Sequence, residues 1–146
     1  IVRKMEITVS SRQSKTLFCQ NRKEFVKATP EERVRQNTLS SLFLLGYPSS
    51  LILVERKMAD LAAPGMQAPN RRIDILCYQG STLQPLLLVE CKAKSFVDKD
   101  LRQLLGYNFY IQARFIALVS PQKVLFFDVQ GQTVQERLPE YNTLLV

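Results

Sequence analysis

The sequence of 146 residues contains no histidine and no tryptophan. The absence of histidine excludes Ser-His-Asp and Cys-His catalysis, a histidine general base and a histidine-ligated zinc site. Any hydrolytic chemistry must therefore depend on carboxylates, lysine, tyrosine and a hard cation that prefers oxygen ligands, such as Mg²⁺ or, in its place, Mn²⁺.

Cysteines and long apolar runs are also scarce. The three cysteines, Cys19, Cys77 and Cys91, form no C-x-x-C pair, and two of them lie in apolar segments where a thiol behaves as a small hydrophobic group. We therefore expect reduced thiols, a cytoplasmic protein and no structural zinc. No apolar run approaches the roughly 18–20 residues that span a bilayer, and no secretory signal opens the chain, so no membrane partner is expected.

Positive charge is in excess over negative charge. The net charge is +7 and the pI is about 9.5, which favours a polyanionic partner, most commonly nucleic acid. Nine of the twenty lysines and arginines fall in the first 35 positions: Arg3, Lys4, Arg12, Lys15, Arg22, Lys23, Lys27, Arg33 and Arg35.

Hydrophobic periodicity and turn residues predict one α/β (α+β) domain over residues 1–146, with helices packed against a mixed central sheet in the order α-β-β-β-α-β-β. Helices are predicted at about 29–45 and 98–112, and strands at 51–57, 71–78, 85–93, 115–119 and 124–129. Short further strands are considered at 5–9, 16–19 and 133–138, and a mobile loop at 59–70. The domain divides into an N-terminal extension (1–27), a core (about 28–129) and a C-terminal extension (130–146).

The first helix has a clear start signal. Thr29 suits the N-cap, Pro30 the first helical position, and Glu32 is placed to complete a capping box. At about 100° per residue, Glu31 falls near the middle of the apolar stripe of the helix and Glu32 at its edge. We therefore expect Glu31 to face the sheet and Glu32 to cap the helix. The alternative, that both acids are simply favoured at the helix N-terminus by the dipole, stays open.

Charged residues interrupt two strands whose other residues are apolar: Asp74 in one, and Glu90 and Lys92 in the next. A buried charge is costly unless it is paired or binds a metal. Glu90 and Lys92 share one face of their strand, and a hairpin register can place Asp74 beside Glu90. Two carboxylates so close repel one another unless a proton or cation lies between them, and Mg²⁺ fits that arrangement. The alternative is a buried ion pair that only stabilises the sheet, which explains one pair but leaves a carboxylate over.

Four other polar residues are less distinctive. Glu55 and Asp128 lie close to strand ends, where solvation is ordinary. Gln103 and Tyr107 are four residues apart on the second helix and flank its apolar stripe. That pattern is common on helix surfaces and carries no functional argument by itself.

Asp74, with fifteen residues between it and Glu90-x-Lys92, resembles the signature of the PD-(D/E)xK nuclease superfamily. The predicted element order is similar to the restriction-endonuclease-like core of that superfamily. More narrowly, five segments in order resemble the N-terminal nuclease domain of type I restriction enzyme R proteins: 22–26 (RKEFV), 29–36 (TPEERVRQ), 46–48 (GYP), 71–75 (RRIDI) and 88–93 (LVECKA). The likeness covers residues 18–129, and Gln103 with Tyr107 matches the Gln-x-x-x-Tyr helix motif of that family.

The resemblance implies Mg²⁺-dependent hydrolysis of DNA phosphodiesters, with endonucleolytic cleavage favoured. By position, Asp74 and Glu90 would bind the metal with help from the main-chain carbonyl of Cys91. Lys92 would assist the nucleophilic water.

The same resemblance assigns supporting residues. Glu31 or Glu32 would be the helix carboxylate of the site, and Gln103 and Tyr107 would position the DNA backbone or the lysine strand. Basic residues beside these motifs are expected to contact DNA: Arg35, Arg71, Arg72 and Lys94.

Two features depart from the family pattern. Ile73 stands where the superfamily has its leading proline, and the chain contains no Gly-x-x-x-x-Gly-Lys-Ser/Thr phosphate loop. We therefore expect a fragment or a free-standing relative that cannot translocate DNA by itself, with separate motor or specificity subunits as candidate partners. The oligomeric state is left open. The alternative function is a non-catalytic DNA-binding or interaction module that retains the nuclease fold.

Overall fold

The computed structural model describes residues 15–145, so the strand considered at 5–9 lies outside the described residues. The described chain begins with an antiparallel hairpin of β1 (Thr16–Cys19) and β2 (Glu24–Lys27), followed by helix α1 (Pro30–Leu44). The second long helix is α3 (Asp98–Ile111), and two short helices are α2 (Met58–Leu61) and α4 (Tyr141–Leu144). No helix in this range is long and apolar enough to cross a membrane.

A six-stranded mixed sheet forms the centre of the molecule. Its strands lie side by side in chain order: β3 (Ile52–Lys57), β4 (Arg72–Gln79), β5 (Gln84–Cys91), β6 (Phe115–Val119), β7 (Val124–Asp128) and β8 (Thr133–Gln135). Neighbouring strands are antiparallel except β5 and β6, which are parallel. A parallel pair needs a crossover connection, and α3 supplies it. The mixed sheet and the predicted order α-β-β-β-α-β-β are confirmed.

The two long helices cover opposite faces of this sheet. Leu42 of α1 and Val89 of β5 belong to one hydrophobic cluster, whereas Leu104 of α3 and Leu88 of β5 belong to the other. Successive strand residues point to opposite faces, so a continuous apolar run such as that of β5 fills both clusters. The central strands are therefore buried on both sides, and a charged residue at their ends lies close to the core.

The start of α1 follows the predicted signal only in part. The Thr29 side chain accepts a hydrogen bond of 3.0 Å from the Glu32 amide, as an N-cap does. The reciprocal half of the predicted capping box is absent among the described contacts, because the Thr29 amide donates to the Lys27 carbonyl and the Glu32 carboxylate binds arginines. The helix ends near Gly46, which adopts the left-handed conformation (φ +89°) that favours glycine.

Two predictions along the chain need correction. The segment predicted as a mobile loop begins with the helical turn α2, and the Ala63 amide donates a 2.8 Å hydrogen bond to the Tyr110 carbonyl of α3. The last strand ends at Gln135 rather than at residue 138. After it, α4 returns to the core, where the Tyr141 amide donates to the Leu45 carbonyl at 2.9 Å. Helices α2 and α4 have four residues each, which is too short to show a helical periodicity in the sequence, so neither helix could be predicted.

Candidate active site

The β4–β5 ladder brings Asp74 and Glu90 together. Ile75 pairs with Val89, so the next positions along these antiparallel strands place Asp74 opposite Glu90. Both side chains are buried, with 6% and 8% of their residue surface exposed. Burial, followed by the negative charge of Asp74, raises the pKa of Glu90 to about 7, against the opposing effect of Lys92 and Arg71.

Lys92 follows β5 directly and lies on the same side as Glu90. Its Nζ is 3.6 Å from Glu90 Oε2 and 3.7 Å from Asp100 Oδ1 of α3. Cys91 points to the opposite face, where its Sγ lies 3.9 Å from the Thr38 hydroxyl of α1. The alternation predicted for this strand thus brings a carboxylate and an ammonium group together beneath α3.

Both oxygens of Asp74 are already hydrogen-bonded within the protein. Oδ1 accepts from Nε and Nη2 of Arg35, at 3.1 Å and 2.5 Å, and Oδ2 accepts from the Cys91 amide at 2.7 Å. These contacts fix the carboxylate in one orientation. A carboxylate offers about four lone-pair directions, so Asp74 retains acceptor capacity toward a cation.

Arg35 is the centre of a buried ion-pair cluster, which corrects its expected role. Besides Asp74, its guanidinium binds Glu32 through Nη1 and Glu55 through Nη2, the latter at 2.8 Å. Burial alone would lower the pKa of Arg35, but the surrounding carboxylates raise it overall. Only 5% of the residue is exposed. Arg35 was expected to contact DNA, yet here it holds three carboxylates inside the domain.

The burial of the two acids at the start of α1 is the reverse of the prediction from helical periodicity, which had Glu31 facing the sheet. Glu32 is 5% exposed and binds Arg22 at 2.6 Å and Gln36 at 2.7 Å, whereas Glu31 is exposed. The reason is the β1–β2 hairpin, whose turn places Arg22 over the helix start, a neighbour that helical periodicity alone does not show. Glu31 is exposed, and partial burial together with the negative charge of Asp74 raises the pKa of its carboxyl, so Glu31 lies within electrostatic range of the site.

The sequence pattern did not single out Glu55, although the structure places it in the cluster. Val54 pairs with Ile75 and Arg56 with Ile73, so the unbroken register sets Glu55 opposite Asp74, and the Glu55 backbone has a positive φ of +54°. Glu55 and Asp74 therefore lie side by side, and both carboxylates bind Nη2 of Arg35. The available signal is an acid directly after the apolar run of β3, where a position close to a strand end predicts only ordinary solvation.

Tyr107 reaches the site through an arginine. Nη1 of Arg71 donates a 2.7 Å hydrogen bond to the Tyr107 hydroxyl, and Nη2 lies 3.5 Å from Glu90 Oε2. Gln103, one turn earlier on α3, is exposed. The remaining residues expected to contact DNA, Arg72 and Lys94, are also exposed.

The oxygen atoms of the site could supply only part of the coordination shell of a magnesium ion. Among residues 15–145 there is no group of three or more histidine, cysteine, aspartate or glutamate side chains arranged to hold a metal. Asp74, Glu90 and the Cys91 carbonyl would instead supply hard oxygen donors, which suits an ion that keeps several waters and uses one or two carboxylates. The raised pKa of Glu90 fits the same view, because a cation beside it would relieve the repulsion from Asp74.

Comparison with known proteins supports the same family as the sequence motifs. A family model described as type I restriction enzyme R protein N terminus matches residues 30–142. Among solved structures, the chain is similar to a fragment assigned as the HsdR subunit of a type I restriction enzyme from Vibrio vulnificus YJ016, with a TM-score of 0.57 and 18% identity. That likeness covers 80% of this chain and 25% of the other, so the present chain spans about a quarter of that protein. No match is found among curated proteins. The fold agrees with the predicted restriction-endonuclease-like core, and the family match shows that the chain belongs to the type I restriction enzyme R protein N-terminal family.

Proposed function

We propose that this domain hydrolyses DNA phosphodiesters with Mg²⁺ at the site formed by Asp74, Glu90 and Lys92. The observation that carries the proposal is the pairing of two buried carboxylates across the β4–β5 ladder with a lysine ammonium on the same side. A buried carboxylate whose pKa is raised by burial and by a neighbouring acid, as that of Glu90 is, marks a candidate functional site.

Three groups of the site would bind the metal ion. Asp74, Glu90 and the Cys91 carbonyl would hold Mg²⁺, which when bound polarises a phosphate oxygen and acidifies a water molecule. The Arg35 and Cys91 contacts hold the Asp74 carboxylate in place, so it needs no reordering when a ligand arrives. Glu31, which is exposed, would contact the hydrated ion through water.

Lys92 would act on the reacting phosphate and the attacking water. Its Nζ is held between Glu90 and Asp100 at distances that leave donor capacity free, since an ammonium has three N–H groups. A fixed positive charge here would neutralise the negative charge that develops on the phosphate. The 26% exposure of the Lys92 side chain allows a substrate to reach it.

DNA and further subunits are the proposed partners. Arg72 and Lys94, both exposed, would contact phosphates beside the site. Membership of the R protein family supports an assembly with motor or specificity subunits, because the structurally similar HsdR protein is a subunit of a restriction enzyme and extends beyond this domain. The three described cysteines are free, in keeping with the proposed cytoplasmic setting.

A plasmid-nicking assay tests the catalytic proposal. We expect nicking with Mg²⁺ or Mn²⁺, none with chelator, and a loss of at least about a hundredfold in Lys92→Ala. Lys99→Ala, which removes an exposed lysine of α3, is the matched control and should nick like the wild type. Nicking that persists in Lys92→Ala would remove the assigned site.

A non-catalytic DNA-binding or interaction module is the second candidate function. The observation that favours this candidate is that Arg35 already neutralises Asp74, because such an ion pair can serve to stabilise the fold alone. Under this alternative, DNA binding occurs without metal-dependent nicking. Mg²⁺-dependent nicking by the wild type that is lost in Lys92→Ala would exclude it.

A further inference from the structure

Arg71 lies between the site and α3, and its guanidinium is firmly held at one end only. Nη1 donates to the Tyr107 hydroxyl at 2.7 Å, and the guanidinium carbon lies 4.2 Å from the centre of the Tyr107 ring. At the other end, Nη2 is 3.5 Å from Glu90 Oε2, which is the outer limit of a hydrogen bond. Tyr107 therefore anchors Arg71, and Glu90 holds it loosely.

The third nitrogen of Arg71 is left without an acceptor. Within the described part of the chain, Nε of Arg71 is buried and meets no hydrogen-bond partner. Such groups are few in folded proteins because an unpaired buried donor is unfavourable. Nε and Nη2 form the guanidinium edge that binds a carboxylate or phosphate through two parallel hydrogen bonds. The edge adapted to an oxyanion is thus the edge that the protein fills least.

We propose that Arg71 binds a phosphate oxygen of the DNA strand at the Asp74–Glu90 site and that Tyr107 is the positioning residue that orients it. This rests on the proposed function, because it requires DNA to lie across the two carboxylates. The Arg71 side chain is 37% exposed although its Nε is buried, so a phosphate would meet the exposed part of the guanidinium first and reach Nε as Nη2 turns away from Glu90. The guanidinium then gives up only the 3.5 Å contact with Glu90 and keeps its bond to Tyr107.

The proposal gives Tyr107 a role different from direct DNA contact. Its hydroxyl accepts the Arg71 hydrogen bond, and its ring lies under the guanidinium, so both groups of the side chain act on Arg71. A change at Tyr107 should therefore affect DNA through Arg71 alone. A double-mutant cycle measures such dependence directly.

The test is the affinity for a labelled DNA duplex, measured by fluorescence anisotropy in chelator so that cleavage does not interfere. Arg71→Lys keeps the charge but loses the forked donors, and Tyr107→Phe keeps the ring but loses the acceptor hydroxyl. We expect each variant to weaken binding about five- to tenfold. The double variant should bind no more weakly than Arg71→Lys alone. Thermal melting by circular dichroism confirms that each variant is folded.

Arg72→Lys is the matched control, because it changes the neighbouring arginine in the same way. Arg72 is exposed and its Nη1 donates to the Glu55 carbonyl at 2.8 Å, away from Tyr107. Any loss that it causes should add to the loss caused by Tyr107→Phe. Additive losses in the Arg71–Tyr107 cycle, or wild-type affinity in Arg71→Lys, would overturn the proposal.

Plasmid nicking distinguishes this inference from the proposed function. If the wild type does not nick with Mg²⁺ but the Arg71–Tyr107 cycle shows coupling, catalysis fails and the phosphate contact stands. If the wild type nicks while Arg71→Lys has unchanged DNA affinity and KM, the phosphate contact fails and catalysis stands. A wild-type chain that binds no DNA overturns both.

Discussion

Replacing Glu90 by glutamine should stabilise the metal-free domain at alkaline pH. In the folded protein, burial and Asp74 raise the pKa of Glu90 from 4.5 to about 7. Asp74 and Glu31 face this carboxylate with like charge, and Lys92 and Arg71 face it with opposite charge. At about 1.4 kcal/mol per tenfold change in acidity, ionising Glu90 in the folded state costs on the order of 3 kcal/mol. The amide removes that cost, although it also removes the long contacts to the two cations.

The sign of the effect gives it a distinct pH window. Below about pH 4.5 the carboxyl is protonated in both folded and unfolded chains, so it makes no difference to stability. Between about pH 4.5 and 7 the unfolded chain ionises while the folded chain keeps its proton, so wild-type stability falls as pH rises. Above about pH 7 both are ionised and the cost remains constant. The stability gained by Glu90→Gln should therefore be small near pH 4.5, grow between about pH 4.5 and 7, and stay at its full value above pH 7.

Urea unfolding in chelator at pH 4.5 and pH 8 measures this difference. Glu24→Gln changes an exposed acid of β2 and is the control for the loss of one negative charge. We expect a gain of about 2–3 kcal/mol for Glu90→Gln at pH 8, and a change of only a few tenths for the control. A destabilised Glu90→Gln at pH 8 would refute the reasoning, because the pairs with Lys92 and Arg71 would then outweigh burial and repulsion.

Three further outcomes follow from the same contacts. Arg35→Gln should lower the free energy of unfolding in urea by about 3–5 kcal/mol, because it leaves buried carboxylates unpaired. Arg22→Gln, on the more exposed edge of the cluster, should lower it by less. Equal losses would contradict the central role of Arg35. Mg²⁺ should raise the melting temperature of the wild type at pH 8 but not that of Glu90→Gln, and an equal rise in both would place the ion elsewhere. Thr29→Ala should lower stability by about 1 kcal/mol through loss of the N-cap, and an unchanged midpoint would show that the cap hydrogen bond is dispensable.

The order of the main elements could be predicted because each carries its own periodic signal. The β4–β5 hairpin is the clearest case, since two apolar runs separated by turn residues fix an antiparallel pair, and that pair sets Asp74 opposite Glu90. The cluster around Arg35 could not be predicted in this way. Helical periodicity assigns burial from the positions of apolar residues within one helix. Arg35 is buried for a different reason, because acids from β3 and β4 surround it.

The same limit explains the exchange of Glu31 and Glu32. Helical periodicity assumes that a side chain that does not face the sheet is exposed to solvent. Here the β1–β2 hairpin instead covers one side of the α1 start with Arg22. Glu55 escaped notice for a related reason, because the residue that its carboxylate binds, Arg35, comes from helix α1 and is not a neighbour in sequence. In each case the missing information was a tertiary neighbour, and in each case that neighbour was charged.

Asp74 belongs to two systems at once, and this decides which variants can report on catalysis. It is the carboxylate opposite Glu90 in the β4–β5 ladder, and it is also the ion-pair partner of buried Arg35. Asp74→Ala would therefore remove a candidate metal ligand and leave a buried guanidinium short of charge, so lost activity could come from lost folding. Lys92 has only long contacts, at 3.6 Å and 3.7 Å, and lies partly in solvent. Lys92→Ala should leave the fold nearly as stable as before, so a loss of nicking in that variant reports on chemistry.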